Sequence, residues 1–195
     1  MATFLYAGKF TARAVWSMLV SMSLVCGVAL AQEGDSAAAA RQGEIDANAE
    51  ATLERLFAER SDARELYDRA AGYAVFAATK AGALLVSGGS GTGVAIDKTT
   101  GQKTYMRMGT GGIGFGLGAQ RYDMIILFET AAVLNRFVQG GWDSSATAQA
   151  AVGQDGIAVR SSFIGGVAFF QLTEKGLMAH ADVSGTRFWV IDRLN

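Results

Sequence analysis

His180 is the single histidine of the 195-residue chain and Cys26 its single cysteine. Acid–base or nucleophilic catalysis would have to be built around His180, yet no G-x-S-x-G nucleophile elbow accompanies it. A polar position on a strand is the simpler reading. Asp123 stands between Arg121-Tyr122 and an apolar run, so its carboxylate calls for a cation, with Arg121 and Arg107 as candidates for a structural pair. No His/Asp/Glu cluster has metal-ligand spacing. Gly109-Thr110-Gly111-Gly112-Ile113-Gly114 spells G-x-G-x-x-G, but a dinucleotide site needs that motif to follow a strand and open a helix. An alternating extended segment follows instead. The chain is therefore expected to be no enzyme and to carry no metal or cofactor. The remaining chemistry is cationic: Lys80, Lys103, Arg107, Arg121 and Lys175 could meet phosphate near strand ends.

These cations surround one unusual segment, Gly109 to Glu129. Gly112, Gly114, Gly116 and Gly118 occupy one parity, and Ile113, Phe115, Leu117 and Ala119 the other. An extended chain sends successive side chains to opposite faces, so this run predicts a strand with one apolar face and one bare face. Glycine weakens a strand, and four at this spacing predict close cover by a backbone, a helix or a ligand.

Composition bounds the setting. Half of the residues are hydrophobic, with 25 Gly and no Pro, as suits one globular domain with a processed end. Lys9 and Arg13 precede an uncharged run from Ala14 to Ala31 that closes on Ala29-Leu30-Ala31. This reads as a secretory signal peptide over 1–31, with the mature chain starting at Gln32 and periplasmic or secreted. An uncleaved anchor is the alternative, and a lipoprotein through Cys26 ranks third because Val25 precedes it. Cleavage at Ala31 would leave no cysteine for disulfides, metals or nucleophilic attack. The full chain has 17 basic and 18 acidic side chains, and loss of Lys9 and Arg13 leaves 15 against 18, a net charge of −3. That is no nucleic-acid signature.

Residues 32–43 are small and polar, a flexible leader in composition. The rest, 44–195, reads as one domain, helical over 44–72 and β-rich over 73–195. Ile45, Ala49, Leu53, Leu56 and Phe57 form one helical stripe. A second helix starts at Ser61 or Asp62, with Glu65 placed as in a capping box and Leu66, Tyr67, Ala70 and Ala71 on its buried side. Its acidic polar face argues for packing on a sheet rather than on a membrane. Tyr73–Ala78 predicts a strand, Lys80-Ala81-Gly82 a break, and Ala83–Ile96 one or two strands interrupted by glycines. Asp97–Gly101 predicts a turn returning through Gln102–Met108. Thr130 is a candidate N-cap for a helix over 131–139, with Val133, Leu134, Phe137 and Val138 apolar and Gly140 as stop. A short helix over 142–152 and strands over 157–162, 163–172, 176–185 and 186–193 complete an α+β fold: a mostly antiparallel, glycine-rich sheet or sandwich packed with N-terminal and central helices.

In order, Tyr73-Ala74-Val75-Phe76 with Lys80 and Gly82, the Gly88–Val94 glycine cluster, GGIGFGLGAQRYDMIILF, Gly153, and Glu174-Lys175-Gly176-Leu177-Met178 with Gly185 resemble the SYLF domain. The resemblance runs from Tyr73 nearly to the end, and the glycine alternation followed by Gln120 and Asp123 is its most specific part. Two positions depart: Ala77 stands where a Pro is common, and His180 where a small residue is usual. The resemblance implies a lipid-binding protein, with actin binding described for eukaryotic members. The basic amphipathic N-terminal helix of those members has no counterpart in the acidic helices here. The expected partner is a phospholipid or membrane surface, bound by Lys80, Lys103, Arg107, Arg121, Lys175 and the bare strand at Gly112, Gly114, Gly116 and Gly118. The rival is a structural or protein-interaction domain of the cell envelope, in which the bare face packs on a helix.

Overall fold

The computed structural model describes residues 12–83, 86–113, 118–140, 162–173, 176–177 and 185–195. The chain divides into two compact units, Met1–Ala40 and Arg41–Asn195. Helix α1 spans Ala12–Glu59, and α2 spans Ser61–Arg69. Strands β1 (Gly72–Ala83), β2 (Val86–Asp97), β3 (Lys103–Ile113) and β4 (Gly118–Phe128) follow, then α3 (Ala131–Gly140), β5 (Val167–Thr173), β6 (Gly176–Leu177), β7 (Thr186–Val190) and a 3-10 turn at Asp192–Leu194.

The strands form one seven-stranded sheet, ordered β6-β5-β4-β1-β2-β3-β7, with every neighbouring pair antiparallel. The order β4-β1-β2-β3 is that of a Greek key. Ile113 and Gly118 therefore sit at the same end of the sheet but three strands apart, about 14 Å at the usual strand spacing. The glycine run is thus not one continuous strand among the described residues. Its two ends close β3 and open β4, while Gly114 and Gly116 lie outside the described residues.

Local chemistry explains the connections. Asp97 Oδ1 accepts the amides of Thr99 at 2.7 Å and Thr100 at 3.1 Å, and Gly101 takes a positive φ of 74°, closing the β2–β3 hairpin. Thr130 caps α3, its Oγ1 accepting the Val133 amide at 3.3 Å. One strand reading differs from the structure. Lys80-Ala81-Gly82 is no break, because both neighbours of β1 pair with it to Gly82, which holds the extended form. Of the one or two strands expected over Ala83–Ile96, Ala83 closes β1 and Val86–Ile96 lie in the single strand β2, which pairs with β1 through Gly88, Gly89, Gly91 and Gly93 without interruption. Likewise, α1 continues through Gln32–Gly43, where composition suggested a flexible leader. Ala37–Ala40 favour the helix, Arg41 donates to Thr92 Oγ1 at 3.3 Å, and Gln42 donates to the Leu194 carbonyl at 2.8 Å.

Two apolar layers result. On one face Ile45, Ala49, Leu53 and Leu56 of α1 and Ala63 and Leu66 of α2 are buried, as are Val75, Val94, Ile125, Leu127 and Leu172 of the sheet. On the other, Leu134 and Phe137 of α3 join Phe76, Met106, Met108, Met124, Ile126, Phe128 and Phe188. The Phe137 ring centroid lies 5.0 Å from that of Phe128 and 5.1 Å from that of Phe188. Each such side chain contributes about 1.5–3 kcal/mol by burial. The short helix and the first strand expected after α3, at 142–152 and 157–162, lie outside the described residues apart from Ser162.

Candidate functional site

Glycines are in close contact where the fold needs them, but not where the alternating run suggested. A Cβ on Gly91 would meet the Ala77 carbonyl at 2.5 Å and Ala78 Cβ at 2.8 Å; on Gly89 it would meet the Thr79 carbonyl at 2.7 Å. On Gly93 it would run into the Val75 carbonyl oxygen and come within 2.6 Å of the Phe76 ring. Three alternate glycines of β2 thus let the strand press onto β1 and leave room for Phe76 in the core. By contrast, a Cβ on Gly112 would touch only Ser87 Oγ at 3.7 Å, and nothing lies within 4 Å of one on Gly111 or Gly118. The described ends of the run are open, so the expected close cover is absent there.

The strand registers sort the predicted cations. On the face that carries α1, one row crosses the sheet as Trp189, Arg107, Thr92, Ala77, Asp123 and Leu172. The next row is Arg187, Gly109, Ser90, Thr79 and Arg121, and the row beyond is Gly111, Gly88, Ala81 and Ala119. All residues of the last two rows are exposed except Gly109, which is half-buried. Apart from Arg187 and Arg121 at their ends, both rows carry only Gly, Ala, Ser and Thr, and no carboxylate. Lys80 lies on the opposite face, and Lys175 and His180 lie outside the described residues.

Lys103 is committed elsewhere, pairing with Asp46 of α1 at 2.7 Å, and Tyr105 donates to the same carboxylate at 3.2 Å. These contacts tie α1 to β3. The Asp46 hydrogen bond raises the Lys103 pKa, and burial first, then Asp46, raises that of Tyr105. Asp123 also finds a partner that the sequence did not suggest, Arg55 of α1 at 3.4 Å, while Arg55 donates to the Thr173 carbonyl at 3.0 Å. Arg107 is three strands away, and Arg121 lies one row farther along β4. Burial holds the Asp123 carboxyl above its ordinary range, against the opposing pull of Arg55 and hydrogen bonds from Asn48 and Thr52. Asp123 is thereby a docking point for α1.

Sequence reading missed Trp189. It is a large apolar side chain and yet 42% exposed. Its indole lies over Gly109, where an added Cβ would come within 2.9 Å of Cη2. The alternation of Thr186-Arg187-Phe188-Trp189-Val190 was the available signal, since it puts Arg187 and Trp189 on one face and buried Phe188 on the other.

Gly109–Ile113 of the G-x-G-x-x-G letters belong to strand β3, whereas a dinucleotide site needs them in the turn between a strand and a helix. Among the described residues no three His, Cys, Asp or Glu side chains gather as a metal site. What stands instead is an α+β domain whose antiparallel sheet carries two exposed rows of small residues, one of them flanked by Arg187 and Arg121.

Two comparisons meet this architecture. Residues 109–195 match the family model Ysc84, described as Las17-binding protein actin regulator. The chain is also similar to beta cell expansion factor A of Aeromonas veronii, 37% identical over 146 residues, which covers 75% of this chain and 56% of that protein. The chain thus carries a SYLF-family domain, as its glycine-run landmarks suggested, and spans a little over half the length of that relative.

Proposed function

We propose that this protein is an exported, non-catalytic phospholipid-binding domain of the bacterial cell envelope, with the uncovered sheet end as its lipid contact. The observation that carries this reading is the pair of exposed rows from Arg187 to Arg121 and from Gly111 to Ala119, cationic at their edges and free of carboxylates. Four strand spacings separate Arg187 from Arg121, about 19 Å. That span is too wide for one phosphate and suits a surface that presents many. Small side chains let acyl or headgroup atoms approach the backbone closely. The basic leader, the apolar run and Ala29-Leu30-Ala31 support export.

Flotation with vesicles of phosphatidylethanolamine and phosphatidylglycerol, with mass spectrometry of solvent extracts, tests the proposal. The protein is expected to float, to carry copurified phospholipid, and to release only partly at raised salt, since few cations take part. Absence of both flotation and copurified lipid rejects it. Lysolipid or fatty acid accumulating with time would reveal an enzyme. The description of the matched family as an actin regulator that binds a protein favours a second reading, a protein-interaction domain, which the same failure would support.

A further inference from the structure

We propose that Trp189 is the depth anchor of the lipid contact, so that the β3–β7 corner of the sheet enters the headgroup–acyl boundary of an anionic bilayer first. This inference rests on the lipid-binding reading and adds the point of entry and the headgroup charge. An exposed indole costs solvation free energy unless something covers it, and tryptophan settles at the polar–apolar boundary because its ring is apolar and its N–H is a donor. Trp189 is further set up for that role by its neighbours. Part of its ring lies over Gly109, which has no side chain to lift it, and 42% of the residue stays exposed. Arg107 is its direct cross-strand partner, and Arg187 is two residues back on the same face. Arg107 is exposed and makes no ion pair among the described residues. Guanidinium groups on either side of an indole match phosphates above an apolar layer, and the adjoining Gly109–Ser90–Thr79 row adds no carboxylate to repel them. This charge pattern suits an anionic surface rather than a second copy of the chain, which would bring the same arginines against each other, and the exposed indole suits the headgroup–acyl boundary of a bilayer.

The test uses the full chain carrying Trp16→Phe and Trp142→Phe, which leaves Trp189 as the sole indole. Vesicles containing phosphatidylglycerol should shift its emission to the blue, and brominated acyl chains should quench it; phosphatidylcholine alone should do neither. In the otherwise native chain, Trp189→Ala should weaken flotation roughly tenfold, and Arg107→Gln about fivefold with a shallower salt dependence. Far-ultraviolet circular dichroism should be unchanged in both. Flotation with an unshifted, unquenched Trp189 would overturn the anchor while leaving lipid binding intact, and failure to float would reject both. Emission that is already blue-shifted without lipid and reddens on dilution would assign the patch to a second copy and overturn the inference.

Discussion

Two sets of glycines occupy neighbouring strands of this sheet and do opposite things. Gly89, Gly91 and Gly93 of β2 lie against the backbone of β1, where any side chain would collide with carbonyl oxygens. Gly111 and Gly112 at the end of β3 have open space beside them. The first set allows close approach of β2 to the β1 backbone and a seat for Phe76; the second leaves a sheet end with little side-chain cover. Glycine alternation alone therefore does not report packing. What decides is whether another backbone lies where the Cβ would go, which depends on the neighbouring strand and on twist.

The contrast can be broken most forcefully at Gly93. A Gly93→Val chain should lose about 3 kcal/mol or more, the upper end of over-packing, because the obstacle is backbone and cannot rotate away. Chemical denaturation monitored by circular dichroism should show a much lower midpoint or no cooperative transition, and a wild-type midpoint would refute the close approach. Gly118 separates space from conformation. Nothing crowds it, but its φ of +135° is a region that side chains rarely adopt. Gly118→Ala should cost about 1–3 kcal/mol through backbone strain alone, read from the same denaturation curves.

Asp123 marks the boundary between the helix-covered and exposed parts of the sheet. Its pKa is raised in the fold, so the native state holds this proton more tightly than the unfolded chain. Its ionisation therefore weakens the fold as pH rises through the raised value, and the effect fades below the ordinary aspartate range. Asp123→Asn should flatten that part of the stability–pH curve. At neutral pH it should change stability by less than about 1 kcal/mol, since Arg55 is 45% exposed. Melting temperatures of both proteins across the acid range would show it; parallel curves would mean that the carboxyl is not perturbed. The smallest effect is expected at Gly112, where Ala should be neutral or stabilise by up to about 1 kcal/mol through the unfolded chain. A large loss there would mean that the open end is covered after all.

Much of the fold could be read locally. The stripe from Ile45 to Leu56, the Asp97–Gly101 turn and the Thr130-capped helix each depend on residues within a few positions of one another, so periodicity and capping chemistry identified them. The SYLF-family resemblance also rested on ordered local landmarks. The sites of Lys103 and Asp123 could not be read this way, because their partners, Asp46 and Arg55, lie 57 and 68 residues earlier. Nothing in the neighbourhood of either residue names a partner on α1.

The sequence by itself determined which side chains share a face: alternation puts Arg187 with Trp189, and Phe188 opposite, whatever the strand's neighbours. Only the tertiary structure decided which strands lie side by side. By inserting β1 and β2 between β3 and β4, it parted the glycine run, moved the close packing to Gly89, Gly91 and Gly93, and carried Arg121 to the far end of the row that Arg187 begins. The reason is that strand order follows from the pairing and burial of whole strands, to which a two-residue period is blind.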